Sequence, residues 1–236
     1  MQDYSKYQTF AGETFGFTFD NPELILMAFT HRSYMNEHKK SAKEHNERLE
    51  FLGDAVLELV VTEYLYSSYA EPEGILTNWR SALVRTESIS AAASRLGYAD
   101  MLRLSRGEKQ GSERARQQIL ANTFEAVIGA VYLDKGYDAA KDVITKYILS
   151  TFEEILETGS WRDPKSRLQE VAQSIESQTP VYKVLSEEGP DHDKIFTLGV
   201  YIGQKLMGKG NGSSKQNAQQ KAAEAALHQY EKRERK

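Results

Sequence analysis

One segment of the chain, residues 45–59, reads His45-Asn46-Glu47-Arg48-Leu49-Glu50-Phe51-Leu52-Gly53-Asp54-Ala55-Val56-Leu57-Glu58-Leu59. Successive residues of an α-helix are about 100° apart, so Glu47, Glu50 and Asp54 fall within about 60° of one another. The apolar residues gather on a separate arc, formed by Leu49, Leu52, Val56, Leu59 and Val60. One face of the predicted helix is therefore suited to a core, and another face concentrates negative charge.

This acidic face has two interpretations. Surface helices carry many solvated carboxylates that bind nothing. Alternatively, a divalent cation with hard oxygen ligands would offset the repulsion between like charges at helical spacing. Gly53 and Asp54 favour the interpretation as a cation site. Inside a helix Gly costs about 1 kcal/mol relative to Ala and Asp is a weak helix former, so their presence indicates a role other than helix formation. A glycine here also predicts that another part of the molecule approaches closely at position 53.

The composition of the 236-residue chain narrows the classes of function. There is no cysteine, which excludes disulfides, zinc–thiolate sites and cysteine catalysis. No signal-peptide pattern and no long apolar run is present, so we expect a cytoplasmic protein without a membrane partner. The net charge of −4 divides unevenly. Residues 163–236 hold 12 Lys+Arg and 10 Asp+Glu, a net +2, which leaves −6 for residues 1–162. Residues 163–236 are therefore mildly basic, and this charge is compatible with contact to a polyanion.

The periodicity of the apolar residues predicts two domains. Three- and four-residue spacing runs from about residue 20 to 157 and indicates an all-α domain. A short helix, three alternating strand-like runs and a final helix follow, which indicates a small α+β domain of order α-β-β-β-α. We expect the all-α domain over residues 1–157, a linker over 158–163 and the second domain over 164–232.

Three further residues could contribute to a metal site on the acidic face of this helix. Asn122 and Glu125 are three positions apart and share a face of a later predicted helix, and Glu73 precedes Gly74. Asn122 and Glu125 complete a metal site only if their helix packs beside the acidic helix. The spacing of residues in the sequence does not show whether it does.

Three motifs resemble those of the ribonuclease III family. Residues 45–57 resemble its signature helix, residues 119–126 (ILANTFEA) its second acidic motif, and residues 29–34 (FTHRSY) an early helix. The resemblance covers residues 10–230. It implies an α-helical endonuclease domain followed by a double-stranded-RNA-binding domain.

The resemblance also implies roles for residues of the first domain. The catalytic Mg²⁺, with Mn²⁺ as an alternative ion, would be held by Glu50, Asp54, Asn122 and Glu125. Catalysis is implied for Asp54 and Glu125. Glu47 and Glu73 would line the same valley. Phe51 would insert into a partner subunit, which implies a homodimer.

In the second domain the resemblance implies contacts with double-stranded RNA. The positions concerned are Ser166, Gln169, Glu170, Pro190, His192, Ser214 and Lys215. A-form RNA presents 2′-hydroxyls in a shallow minor groove, which a polar helix and one loop can read. The N-terminus of the last helix is suited to phosphate.

The chain departs from the family pattern at one position, where Asn122 replaces an Asp. Three interpretations compete: a natural variant that remains active, an attenuated enzyme that needs more metal or Mn²⁺, and a dimer that binds double-stranded RNA without cleaving it. A structural component of a ribonucleoprotein is a further alternative.

The resemblance implies hydrolysis of both RNA strands to 5′-phosphate and 3′-hydroxyl ends with short 3′ overhangs. It implies work in ribosomal-RNA precursor processing and turnover of structured RNA, with no small-molecule organic cofactor.

Overall fold

The computed structural model describes residues 4–38, 44–190 and 194–234. The chain forms two compact units, which meet in the sequence between Trp161 and Arg162. This division falls inside the segment predicted as a linker, and the limits of the domains remain a prediction.

The first unit is helical. Its helices are α1 (Ser5–Phe15), α2 (Pro22–Ala28), α3 (Arg32–Glu37), α4 (Glu47–Ser68), α5 (Glu73–Val84), α6 (Thr86–Arg95), α7 (Tyr98–Met101), α8 (Arg106–Lys109), α9 (Glu113–Tyr147) and α10 (Phe152–Thr158), with a 3₁₀ turn at Leu149–Thr151. Helix α1 precedes the region where the sequence predicted helices. Only Tyr7 and Ala11 of it are buried, so its apolar periodicity is short.

Helices α4 and α9 form the centre of this unit. Helix α9 is interrupted at Gly136, whose φ of 84° and ψ of −175° are not helical. Helix α4 buries Leu49, Val56 and Val60, as its apolar arc predicts. The same arc was expected to bury Leu59, and this is wrong, because 57% of Leu59 is exposed. Leu59 lies about 20° from Tyr66 around the helix, and both residues are exposed.

The core of the first unit contains a continuous set of aromatic rings. The ring of Tyr98 packs on Phe29 at 5.0 Å and on Phe124 at 6.0 Å. All three residues are fully buried. Since Phe124 belongs to α9, this packing fixes the rotation of α9 about its axis and turns its next residue, Glu125, away from these rings.

The second unit consists of α11 (Pro164–Glu176), β1 (Val181–Glu188), β2 (Ile195–Ile202), β3 (Lys205–Gly212) and α12 (Lys215–Glu234). The strands form an antiparallel sheet of order β1-β2-β3. Its own core joins the two helices to the sheet through residues such as Leu168, Val200, Met207, Ala222 and Leu227. The predicted fold class, an all-α domain followed by a small α-β-β-β-α domain, is confirmed.

None of the helices in the described ranges is long and apolar enough to cross a membrane.

Candidate functional site

Two glycines bring helices α4 and α9 into backbone contact. A Cβ atom on Gly53 of α4 would overlap the carbonyl oxygen of Glu125 and lie 2.7 Å from the backbone nitrogen of Gly129. A Cβ on Gly129 of α9 would in turn overlap the carbonyl oxygen of Leu49. The expected close approach at Gly53 is thus confirmed, and the neighbour is the helix that carries Asn122 and Glu125.

This contact places the carboxylates of both helices in one electrostatic cluster. Burial raises the pKa of Glu125 to about 8, and the charges of Asp54 and Glu50 contribute to this increase. Burial also raises the pKa of Glu50, as do the charges of Glu47 and Asp54, while a hydrogen bond from Asn122 lowers it. Burial and mutual repulsion therefore both disfavour the ionised forms of Glu50 and Glu125.

The Asn122 side chain is hydrogen-bonded within its own helix. The Nε2 of Gln118 donates to the Oδ1 of Asn122 at 2.7 Å. Burial and the charge of Glu47 raise the pKa of Glu50, and the Asn122 side chain acts in the opposite direction and favours the ionised carboxylate. Asn122 thus lies near Glu50, and its amide oxygen faces Gln118.

The donor set has the right chemistry for a hard divalent cation. Glu50, Asp54 and Glu125 offer carboxylate oxygens in a partly buried site. Burial, and then the charges of Asp54 and Glu50, raise the pKa of Glu125, and a bound cation would favour its ionised form. Within residues 4–38, 44–190 and 194–234, however, no three His, Asp or Glu side chains already converge closely enough to enclose an ion. The residues fit a metal by type and location, and their side chains would have to close on it.

Glu47, which was predicted to line the valley, already has a cationic neighbour in Arg32. Its carboxylate lies 3.5 Å from the Nη1 of Arg32 and 3.8 Å from the Nδ1 of His45. Two histidines of this region act as caps: the Nδ1 of His45 accepts a hydrogen bond from the backbone N–H of Glu47, and the Nδ1 of His31 accepts one from the backbone N–H of Ser33. Glu47 still raises the pKa of Glu50, so it belongs to the cluster.

Two other predicted residues of the first unit lie on its surface. Glu73 is exposed at the first residue of α5, and it is not among the charges that raise the pKa of Glu50 or Glu125. Phe51 projects from α4 with 82% of its surface exposed, on the same helix as exposed Leu59 and Tyr66. Because several exposed apolar side chains lie on this one helix, its surface is a candidate contact surface.

The predicted RNA-contacting residues of α11 lie together in the second unit. Asp163 accepts hydrogen bonds from the backbone N–H of Ser166 at 2.9 Å and from its hydroxyl at 3.0 Å, which begins the helix. Ser166, Gln169 and Glu170 are exposed. Ser166 and Gln169 line a groove that Gln216 and Gln220 of α12 complete.

The start of α12 is also well defined. The hydroxyl of Ser214 accepts from the backbone N–H of Asn217 at 3.2 Å. The Nζ of Lys215 lies 3.0 Å from Glu187 and 5.4 Å from the centre of the Phe196 ring. Lys215 therefore already pairs with a carboxylate of the protein itself, that of Glu187. Pro190 is exposed, and His192 lies outside the described residues.

Sequence reasoning missed Gln118 and Arg32. Gln118 precedes Asn122 by four residues, a spacing that places two side chains on one helix face. That spacing could have drawn attention to it. Arg32 gives no comparable signal, because its partner Glu47 belongs to a different helix.

Comparison with known proteins covers both units. A Ribonuclease-III-like family model matches residues 21–152, and a double-stranded RNA binding motif matches residues 164–230. The chain is 45% identical to Ribonuclease 3 of Protochlamydia amoebophila over 92% of this chain and 89% of that protein. It is 47% identical to Ribonuclease 3 of Carboxydothermus hydrogenoformans over 90% and 91%, respectively.

A solved structure supports the same relationship for the first unit. The nuclease domain of ribonuclease III from Campylobacter jejuni matches with a TM-score of 0.55 and 34% identity, covering 61% of this chain and 97% of that one. Sequence relatives thus extend over nearly the whole chain, and the helical fold agrees with that of a solved nuclease domain. The chain belongs to the ribonuclease III family.

Proposed function

We propose that the carboxylate cluster between α4 and α9 is the site at which this protein, an endoribonuclease, hydrolyses double-stranded RNA. The single observation that carries the assignment is the backbone contact between Gly53 of α4 and Glu125 of α9, which brings Glu125 close to Asp54 and Glu50. Burial, with the charges of Asp54 and Glu50, raises the pKa of Glu125 to about 8. Perturbed carboxylates of this kind cluster at functional sites. The double-stranded RNA binding motif at residues 164–230 supports the choice of substrate.

We assign the metal to Glu50, Asp54 and Glu125, with Asn122 as a neutral fourth member, and Mg²⁺ as the ion, with Mn²⁺ as an alternative. When bound, a hard divalent cation activates a water and neutralises phosphate oxygens. The family is metal-dependent. In the metal-free protein Glu125 holds a proton below pH about 8, so it would exchange this proton for the cation. Asp54 and Glu125 would contact the reacting groups, and Glu47 and Glu73 would border the site.

The remaining parts of the chain would select and orient the substrate. Ser166, Gln169 and Glu170 would read the minor groove, with the segment that contains Pro190 and His192 as a second contact. Ser214 and Lys215 would meet phosphates at the start of α12. We further propose a homodimer formed through Phe51, because this ring is 82% exposed. One active site in each subunit would cut one strand.

By the same family relationship, the products would carry 5′-phosphates, 3′-hydroxyls and short 3′ overhangs. Ribosomal-RNA precursors and structured transcripts in the cytoplasm are the proposed substrates. A dimer that binds RNA without cleaving it is the less favoured alternative, because Glu50, Asp54 and Glu125 are all present and coupled.

The test is cleavage of a long duplex RNA in Mg²⁺, in Mn²⁺ and in EDTA, with products resolved by gel electrophoresis. We expect cutting in either metal and none in EDTA. Glu125→Gln should abolish cutting and leave duplex binding nearly unchanged. Glu113→Gln, at an exposed Glu in the first turn of the same helix, is the matched control and should cut normally. Absence of cutting by the unmodified protein in both metals, with binding intact, would favour the non-cleaving alternative.

A further inference from the structure

The groove between α11 and α12 in the second unit is large enough to hold a small organic group. It encloses about 340 Å³, which lies within the usual range of about 300–1,000 Å³ for sites that bind small molecules. Its lining includes three primary amides, those of Gln169, Gln216 and Gln220. Pro180, which precedes β1, and Tyr182 of β1 add ring surface. The groove therefore combines apolar surface with several groups that both donate and accept hydrogen bonds.

Two of the described residues that line the groove are charged, and both are already engaged. The Nζ of Lys165 donates to the Oε1 of Gln219 at 2.7 Å and lies 5.3 Å from the centre of the Tyr182 ring. The carboxylate of Asp163 accepts two hydrogen bonds from Ser166. The groove thus has one cation and one anion, and its carboxylate would repel a phosphate. A neutral polar group is the ligand that fits these charges.

Tyr182 provides a second observation that points to a ligand. Its hydroxyl oxygen is buried and has no hydrogen-bond partner among the described residues. A buried hydroxyl that makes no hydrogen bond is costly to the folded state. A ligand that fills the groove beside Tyr182 would supply the missing partner.

We propose that this groove binds an unpaired nucleobase of the RNA and so favours duplexes that carry a bulged nucleotide. The inference rests on the RNA binding proposed above, because Ser166 and Gln169, two proposed minor-groove contacts, are among the lining residues. A paired base hides its Watson–Crick edge, whereas an unpaired base offers that edge and a free face for stacking. A glutamine amide matches the donor and acceptor of adenine in two hydrogen bonds, so adenine is the base to test first.

Binding of bulged RNA by the full-length protein tests the proposal, measured by fluorescence anisotropy in EDTA to prevent cutting. Two duplexes are compared, in which the single bulged nucleotide is either an adenosine or a nucleotide without a base. The backbone is the same in both, so the ratio of the two dissociation constants reports the contribution of the base. We expect the adenosine bulge to bind about threefold to tenfold more tightly, the range that one added hydrogen bond gives.

Two variants locate this preference in the groove. Gln220→Leu removes one of the lining amides, and Tyr182→Phe removes the unpartnered hydroxyl but keeps the ring. Either change should reduce the preference for the adenosine bulge to less than about twofold, because hydrogen bonds to one ligand act together. Gln229→Leu, at an exposed glutamine of α12 that does not line the groove, is the matched control and should keep the full preference.

The opposite results would overturn the proposal. Equal affinity of the unmodified protein for the two bulges would mean that no base is bound, and a preference that persists in both groove variants would place the base elsewhere. Competition by free adenosine as strong as that by the bulged RNA would mean that the groove takes a free nucleoside instead. Failure to bind either duplex would contradict the proposed RNA binding itself, and is distinguishable from equal binding of both.

Discussion

Gly53 of α4 packs directly against the backbone carbonyl of Glu125 in α9, at a distance that leaves no room for a side chain. The proposed active site depends on this contact. Glu50 and Asp54 lie three residues before and one residue after Gly53 on α4, and Glu125 is itself the residue that Gly53 touches. A helix pair separated by ordinary side chains would have axes about 8–10 Å apart, and the carboxylates of the two helices would be correspondingly farther from one another.

Gly53→Ala should therefore destabilise the first unit strongly. The new Cβ meets backbone atoms of α9, which cannot move aside as a flexible side chain would. We expect a loss of at least about 3 kcal/mol in the free energy of unfolding, at or above the upper end of ordinary overpacking. Urea denaturation followed by circular dichroism measures it.

Gly74→Ala provides the matched control. Gly74 is also helical, in α5, but a Cβ there would meet nothing within 4 Å. Its replacement should leave stability unchanged or raise it by up to about 1 kcal/mol, because Ala is the better helix former. Similar losses for both variants would show that the α4–α9 contact is not as close as described.

Much of this arrangement follows from sequence, and the limits have physical causes. The spacing of Glu47, Glu50 and Asp54 was sufficient to place them on one helix face, because that relationship is local. Leu59 also fitted the apolar arc, yet it is exposed. Which side of a helix is covered depends on its neighbours, and residues far apart in the sequence supply them. The packing of α4 against α9 could be predicted only through the family resemblance. The glycine at position 53 indicates that another element approaches closely, but not which element it is.

The raised pKa of Glu125 predicts how the stability of the metal-free protein depends on pH. The unfolded chain releases this proton near the ordinary value of 4.5, whereas the folded protein retains it to about 8. Between these values the folded state binds more protons, so stability falls as pH rises. We expect a loss of roughly 1–3 kcal/mol from pH 5 to pH 8 in EDTA, allowing for solvent screening.

Glu125→Gln isolates this contribution, because Gln has no proton to lose. Its stability should decline less than that of the unmodified protein over the same pH range, so that the two curves converge or cross toward pH 8. Addition of Mg²⁺ should stabilise the unmodified protein more at pH 8 than at pH 6, since the ion competes with the proton. Parallel curves for the two proteins would contradict the raised pKa.

Lys215 offers a test of the proposed phosphate contact. It pairs with Glu187 at 3.0 Å, so an RNA phosphate must compete with this carboxylate. Glu187→Gln should release the lysine and tighten duplex binding, whereas Lys215→Ala should weaken it and lower the salt slope by about one ion. Fluorescence anisotropy over a range of KCl concentrations measures both effects.

The control for this experiment is Lys205→Ala, at an exposed lysine that begins β3. Its removal changes the net charge of the second unit equally but lies outside the proposed contact. If Lys205→Ala and Lys215→Ala reduced affinity and salt slope alike, the attraction would be a general effect of charge and not a contact at the start of α12.

Phe51 should control association of two copies of the chain. The ring is 82% exposed and so contributes little to the stability of one subunit, whereas burying it in a partner would gain about 2 kcal/mol per ring. Phe51→Ala should weaken the dimer at least about tenfold, since truncating an aromatic anchor is among the costliest changes at an interface. Sedimentation velocity over a dilution series measures the dissociation constant. Ile175→Ala, at an exposed apolar residue of the second unit, should leave it unchanged. A dimer that is equally stable with Ala at position 51 would place the interface elsewhere.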